Sequence, residues 1–229
     1  MAKHIGIVAC SAEGAALCYR TICAESAAVM GEHNHPEITM HTHPLAEYMA
    51  PIRAGDWRAV GELMLSSARI VAAAGADFAV CPDNTIHEAF GHVEPASPIP
   101  WLHIARVVAA EARSRSFPVV GVLGTKYLMT GPVYDEALGA EGIGHLIPNE
   151  EDRERINSII FGELVRGVFT DESRAYFNGV IAALADRGAR AVVLGCTEIP
   201  LLIREAESPL PTLDSTRLLA RAAIQEAIR

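Results

Sequence analysis

The sequence has no apolar run long enough to span a bilayer, no Cys-x-x-Cys pair and no surplus of positive charge, and each absence removes a class of protein. Apolar stretches such as Ala191 to Leu194 are broken by Gly or charge long before the roughly 20 residues a membrane-spanning helix needs, so no membrane partner is expected. The cysteines, Cys10, Cys18, Cys23, Cys81 and Cys196, are odd in number, which indicates neither a disulfide framework nor a zinc ribbon; reduced thiols are expected. A formal charge of −9 argues against nucleic acid as the main partner, because phosphate binding needs a basic surface. The residues Met1 to Gly6 carry one Lys before an apolar run too short for a secretory signal, and a cytoplasmic protein is expected.

What is present is core-forming material. Half of the 229 residues are apolar, enough to bury a sizeable interior. Short β-branched runs alternate with amphipathic stretches along the whole chain, the pattern of an α/β fold built on mainly parallel sheet. Strands are expected at Ile5 to Ala9, Ile38 to His41, Phe78 to Cys81, Val119 to Leu123, Gly144 to Ile147, Ala191 to Leu194 and Leu210 to Leu213. The clearest helix is Asp56 to Ala74, with Asp56 as N-cap and Gly75 after the last turn. Pro-dense segments at Glu94 to Pro100 and Ser208 to Pro211 cannot continue a helix and read as crossings between two lobes. The first lobe is then 1-98 plus 209-229, with the last helix returning to it, and the second is 99-208.

An internal repeat decides the architecture. Gly75-Ala76-Asp77-Phe78-Ala79-Val80-Cys81-Pro82-Asp83-Asn84-Thr85-Ile86 aligns without a gap on Gly188-Ala189-Arg190-Ala191-Val192-Val193-Leu194-Gly195-Cys196-Thr197-Glu198-Ile199. Both read as a helix end, Gly-Ala, a buried strand and a sharp turn into a new helix, with Asp83 opposite Cys196. Ile5 to Ala9 pairs with Val120 to Gly124 at nearly the same offset. Two similar lobes related by a pseudo-twofold axis follow, with the active site expected in the cleft between them.

Ligands of parallel α/β sheets sit at the carboxyl ends of strands, where Asp83 and Cys196 both fall. A helix start there offers unpaired N–H groups and a positive dipole end to a bound carboxylate, and Asn84, Thr85 and Thr197 add side-chain donors.

At these residues a resemblance becomes specific. Gly195-Cys196-Thr197-Glu198-Ile199-Pro200-Leu201-Leu202 resembles the second cysteine signature of the aspartate/glutamate racemase family, and Asn84-Thr85-Ile86-His87 resembles the Asn-Thr-x-His part of the first. Gly121 to Thr125, Ile160 to Gly167 and Asp214-Ser215-Thr216 are similar to three further family segments, so the likeness runs along nearly the whole chain. The departure is at Asp83, where family members usually carry Cys; the nearest cysteine, Cys81, lies two positions earlier.

The resemblance implies a cofactor-independent, metal-free, two-base mechanism on a small carboxylate substrate, and a homodimer. One group removes the α-proton and the other returns a proton on the opposite face, with Cys196 and Asp83 as candidates. An α-proton is so weakly acidic that its base must be desolvated and the charge developing on the substrate carboxylate must be stabilised. Cys196 beside a helix start should be biased toward thiolate. Asp83 serves as the second base if an apolar setting lets it hold a proton, and otherwise is an N-cap or a disabling change.

The remaining candidates are binding residues. His87 falls one turn past Asn84, where it either orients a base or substrate or fills the helix face. Arg166 resembles the family's basic residue for a second carboxylate, and Arg53 could act similarly from the first lobe. Ser11, Thr125 and Lys126 follow strands and are plausible substrate contacts. His33, His35, His41 and His43 lack an acidic or cysteine partner at ligand spacing, so no metal site is expected; His41 and His43 could instead shape the substrate pocket. The leading expectation is a racemase of aspartate, glutamate or a related small amino acid. The alternatives are a cofactor-independent decarboxylase or isomerase using the single Cys196 as proton donor, resembling the arylmalonate type, and a non-catalytic amino-acid-binding relative.

Overall fold

The computed structural model describes residues 2–229 and divides into two compact units, Met1–Ile104 with Thr216–Arg229, and Ala105–Ser215; Met1 itself lies outside the described residues. The divisions fall just beyond the proline-dense segments rather than within them. The reason is local: each such segment feeds a short edge strand, Trp101–Leu102 or Thr212–Asp214, of the sheet already being built, and the chain leaves the unit only afterwards.

The first unit runs β1 (Ile5–Ala9), α1 (Ala12–Met30), β2 (Ile38–Thr42), α2 (Leu45–Ala54), α3 (Trp57–Ala73), β3 (Phe78–Val80), a series of short helical turns that includes α4 (Phe90–Val93), and β4 (Trp101–Leu102). These strands form a parallel sheet in the order β2-β1-β3-β4. β1 is buried along its whole length and lies between its partners with Ile5 opposite both Ile38 and Phe78. An unbroken apolar strand is what a sheet covered on both faces requires.

The second unit follows with α5 (Ile104–Ser114), β5 (Val119–Leu123), α6 (Lys126–Thr130), α7 (Pro132–Ala140), β6 (Gly144–Leu146), α8 (Glu150–Gly162), α9 (Asp171–Asp186), β7 (Ala191–Leu194), α10 (Ile199–Leu202) and β8 (Thr212–Asp214). Its parallel sheet has the order β6-β5-β7-β8. Strand for strand this is the arrangement of the first unit, and β3 and β7, which carry the aligned repeat, hold the same place in their sheets. The fold is α/β with two similar four-stranded parallel sheets flanked by helices.

The helices around β3 and β7 show how sequence fixes this layout. Asp56 caps α3 by accepting the Ala59 N–H at 3.0 Å. The chain then reverses into β3 through Gly75 at φ +99°, a conformation that a side chain would strain, and Gly188 at φ +106° makes the same reversal before β7. The core of the second unit gathers Leu123, Ile156, Ile160, Phe177, Ile181 and Leu202, all nearly inaccessible to solvent. The last helix, α11 (Ser215–Ala227), is tied to the first unit by the Lys3 N–H bond to Ala227 O at 2.8 Å and the Arg221–Glu25 pair at 2.7 and 3.0 Å.

Strand ends differ from expectation by a residue or two. Cys81 lies beyond β3, and β8 begins after Pro211 because proline has no N–H for the ladder. β4 was not foreseen, since two residues between prolines and His103 leave no period to read. No described helix is long and apolar enough to cross a membrane.

Candidate active site

In the second unit the geometry begins with Gly195. Its N–H bonds to Leu123 O at 2.7 Å, so the chain leaving β7 presses onto the end of β5. A Cβ at this position would stand 2.8 Å from Leu123 O and 2.6 Å from Leu128 Cδ2, and only glycine fits. This turn sets Cys196 among buried apolar residues, at 8% exposure, beside Ile199 and Leu202 of the core.

The Cys196 thiol donates to Glu198 Oε2 at 2.9 Å, and the Thr197 hydroxyl donates to the same oxygen at 3.0 Å. Glu198 is only 2% exposed. A carboxylate so withdrawn from water needs charge-assisted hydrogen bonds, and here the two residues preceding it supply them. A helix start beside Cys196 suggests a helix dipole behind the thiol. α10 is a single turn, which carries little macrodipole, and the group that addresses the thiol is the Glu198 carboxylate. Glu198 stood in the quoted motif without a role. The available signal was an acidic residue directly ahead of the apolar run Ile199-Pro200-Leu201-Leu202.

Of the other candidates in this unit, Thr125 caps α6, accepting the Leu128 N–H at 3.2 Å at the end of β5, next to β7. Lys126 points its ammonium at Glu154, 3.1 and 3.2 Å away, on the surface. Arg166 is exposed in the short turn Leu164–Arg166 that follows α8.

In the first unit, β3 runs out through Cys81 and Pro82 into the tight helical turn Thr85–Ala89. Asp83 is half-buried and accepts the Ile86 N–H on Oδ1 at 3.2 Å, so the capping reading describes one of its bonds. Its carbonyl accepts from His87 Nδ1 at 2.6 Å, and His87 Nε2 accepts the Ile104 N–H at 3.4 Å. Those two partners assign the imidazole proton to Nδ1 in a neutral ring. His87 is buried, stacked on Phe90 at 5.5 Å and edge-on to His103 at 4.6 Å, and it braces the turn that carries Asp83. Asn84 and Thr85 are buried in the same turn. Ser11, at the end of the neighbouring strand β1, caps α1 through the Gly14 N–H at 3.3 Å, the counterpart of Thr125. Arg53 is exposed at the end of α2.

Cys81 is wholly buried. Burial pushes its thiol well above the ordinary range, Asp83's charge adds to this, and the Asp83 N–H partly offsets both. It is a packing thiol that keeps its proton. Beside it stands Tyr48, which the sequence did not single out: its ring is inaccessible, and burial above all raises its phenol, with the neighbouring Cys81, Cys10 and Asp83 adding to the shift. His41 bonds Ser67 Oγ through Nδ1 at 2.9 Å and meets His43 edge-on at 4.9 Å. Among the described residues no group of three or more His, Cys, Asp or Glu side chains could hold a metal ion.

Two α/β units of the same strand order, one with Asp83 and the other with Cys196 just past its third strand, define the class of protein. Residues 5–223 match the family described as Asp/Glu/Hydantoin racemase, and the chain belongs to that family. It is similar to a solved Yersinia pestis structure described as a candidate Asp/Glu racemase, at 31% identity and a TM-score of 0.90 over 99% of this chain and 100% of the other. An aspartate racemase homologue from Pyrococcus horikoshii is similar at 27% identity and a TM-score of 0.85, again over 99% and 100%. Among curated relatives, the broad specificity amino-acid racemase RacX of Bacillus subtilis is 23% identical over 150 residues, 66% of this chain and 64% of its own. A glutamate racemase of a Roseiflexus strain is 33% identical over 112 residues, 48% of this chain and 38% of its own. The matched stretch thus spans less than two thirds of either curated relative.

Proposed function

We propose that the protein racemises a small amino acid by two-base proton transfer at Cα, with Cys196 and Asp83 acting on opposite faces. The observation that carries this reading is the Cys196 thiol, desolvated and bonded to Glu198 in the same sheet position that Asp83 holds in the other unit. Glu198 takes the thiol proton, and the resulting thiolate removes the α-hydrogen of one enantiomer. Negative charge passes onto the substrate carboxylate, which hydroxyl and amide donors at the strand ends stabilise; Thr125, Thr197, Asn84 and Thr85 are our candidates. Asp83, in its protonated form, delivers its proton to the opposite face. The reverse reaction exchanges the two roles, so no redox step or cofactor enters the balance.

The relatives' names point to aspartate, glutamate or a broader set of amino acids. The test is proton NMR in deuterated water, following the α-proton of both enantiomers of aspartate, glutamate and a wider panel. Exchange with inversion in the wild type, lost in Cys196→Ser and Asp83→Asn, is expected. A single thiol paired with a carboxylate favours one second reading, protonation of an enolate after decarboxylation. Carbon dioxide release from malonate-like acids, with no amino-acid exchange, would establish that reading instead.

A further inference from the structure

The end of β6 opens onto a cavity that the proposed chemistry does not use. It holds about 420 Å³ and is walled by the turn Ile147-Pro148-Asn149, the start of α8 and the last turns of α9. Its floor is apolar, made by Val180 and Leu184 of α9, which belong to the core of the second unit. Arg153 of α8 and Arg187 at the end of α9 line it as well. Arg153 donates to Pro148 O through Nη1 at 2.7 Å, and Arg187 donates to Ile147 O through its own Nη1 at 2.8 Å. Two arginines from different helices are thus pinned to consecutive carbonyls of one turn, each with further N–H donors on its guanidinium.

Charge decides what such a cavity takes. The ion pairs of this unit engage Arg113, Lys126, Arg155, Arg174 and Arg204, whereas among the described residues neither Arg153 nor Arg187 meets a carboxylate at ion-pair distance. The acidic residue in the wall, Asp152, is already held: Oδ1 accepts from the Tyr176 hydroxyl at 2.6 Å and Oδ2 from the Asn149 amide at 2.8 Å. Glu150 and Glu151 in the same turn are exposed and do not line the cavity. Two cations against one committed carboxylate leave a single net positive charge above an apolar floor. That is the complement of a monoanion with an apolar body, and a guanidinium meets a carboxylate with paired N–H donors. The volume falls in the range of small-molecule sites, roughly 300–1,000 Å³.

One turn of α8 joins this cavity to the end of β5. Arg153 and Asn157 are four residues apart and share a face of the helix. Asn157 Oδ1 accepts the Lys126 N–H at 3.1 Å, and Lys126 follows Thr125, the hydroxyl residue that caps α6 just past β5. Arg153 also lines a second, smaller hollow of about 280 Å³ together with Lys126 and Tyr127. A ligand that draws on the Arg153 guanidinium therefore pulls on the helix that holds the Thr125–Lys126 turn. We propose that the cavity is an effector site for a small monocarboxylate with an apolar body, and that its occupancy alters proton transfer by way of α8. The effect on proton transfer presupposes the racemase reading; the binding does not.

The experiment titrates phenylacetate into methyl-labelled wild type, Arg153→Gln and Arg187→Gln and follows the Val180 and Leu184 methyl signals by NMR. Saturable shifts of both residues are expected in wild type, with the apparent affinity about tenfold weaker in each variant, the scale of losing one charge-assisted hydrogen bond. Phenylacetamide, the neutral analogue, should cause no shift, and methyl signals remote from the cavity show that the variants are folded. No shift at these methyls, an equal response in the variants, or equal binding of phenylacetamide would overturn the site. On the same preparations, phenylacetate is expected to change α-proton exchange about fivefold in wild type and to leave it constant in Arg187→Gln. Binding without any change in exchange overturns the effector role, and a change that persists in Arg187→Gln does the same by marking competition at the substrate site. Wild type that exchanges no α-proton under any condition defeats the racemase reading instead, while the methyl shifts still decide whether the site exists.

Discussion

The Cys196 thiol and the Glu198 carboxylate share a hydrogen bond of 2.9 Å inside a setting almost closed to water. A thiol held this way has a built-in acceptor for its proton and does not depend on solvent to become a nucleophilic base. Gln at position 198 would still accept the S–H bond but could not take the proton. Glu198→Gln is therefore expected to lower kcat about 100-fold with little change in KM, the scale of losing one general base. α-Proton exchange and steady-state kinetics on the same preparation check this.

Asp83 combines a cap with a proposed proton donor, and the two roles separate by substitution. Asn keeps an oxygen for the Ile86 N–H and is as good a cap as Asp. Asp83→Asn should leave stability within about 0.5 kcal/mol of wild type while abolishing exchange. Asp83→Ala should lose exchange and about 1 kcal/mol as well. Urea denaturation beside the NMR assay distinguishes these outcomes, and an active Asp83→Asn enzyme would remove Asp83 from the chemistry.

Gly195 is a steric requirement for placing the thiol. In Gly195→Ala the new methyl meets the Leu123 carbonyl, which backbone pairing holds in place. A loss of roughly 1–3 kcal/mol is expected from overpacking, with a larger proportional loss of activity because Cys196 is displaced from Glu198. Denaturation midpoints and the alkylation rate of Cys196 measure the two effects separately.

Stability should fall in alkali because of buried thiols. Burial pushes Cys18 up to about 12 from its ordinary 9.0, and Cys81 is also raised well above that value. Above pH 9 the unfolded chain loses these protons while the folded protein keeps them. The folded state then binds more protons, and stability declines as pH rises, by up to about 1.4 kcal/mol per unit for each thiol. Below pH 8 the contribution is constant. Denaturation series between pH 7 and 10.5 should show this slope, flattened in a Cys18→Ala, Cys81→Ala double variant.

Much of the fold was legible because parallel strands buried on both faces are written as short apolar runs. Ile5 to Ala9, Val119 to Leu123 and Ala191 to Leu194 match the strand bounds, and the Gly75 and Gly188 reversals follow from the need for positive φ. Trp101–Leu102 was hidden because an edge strand of two residues has no periodicity. At the site, Asp83 and Cys196 could be located from their place after a strand. The Cys196–Glu198 bond could not, since residues two apart face each other only when a turn folds the side chains back. Tyr48 was invisible for a different reason: a tyrosine in an amphipathic helix gives no sign that its hydroxyl will be buried without a partner.

The shared strand order of the two sheets has a consequence for chirality. Once a half-length ancestor is doubled within one chain, each copy can change its reacting group without altering the other. Under the proposed mechanism, a sulfur acid in one copy and an oxygen acid in the other would give the two directions of inversion unlike acids and bases, hence unlike isotope effects and unlike sensitivity to acidity of the medium. The handedness of kinetic preference would then be inscribed in the difference between two halves that are otherwise built to one plan.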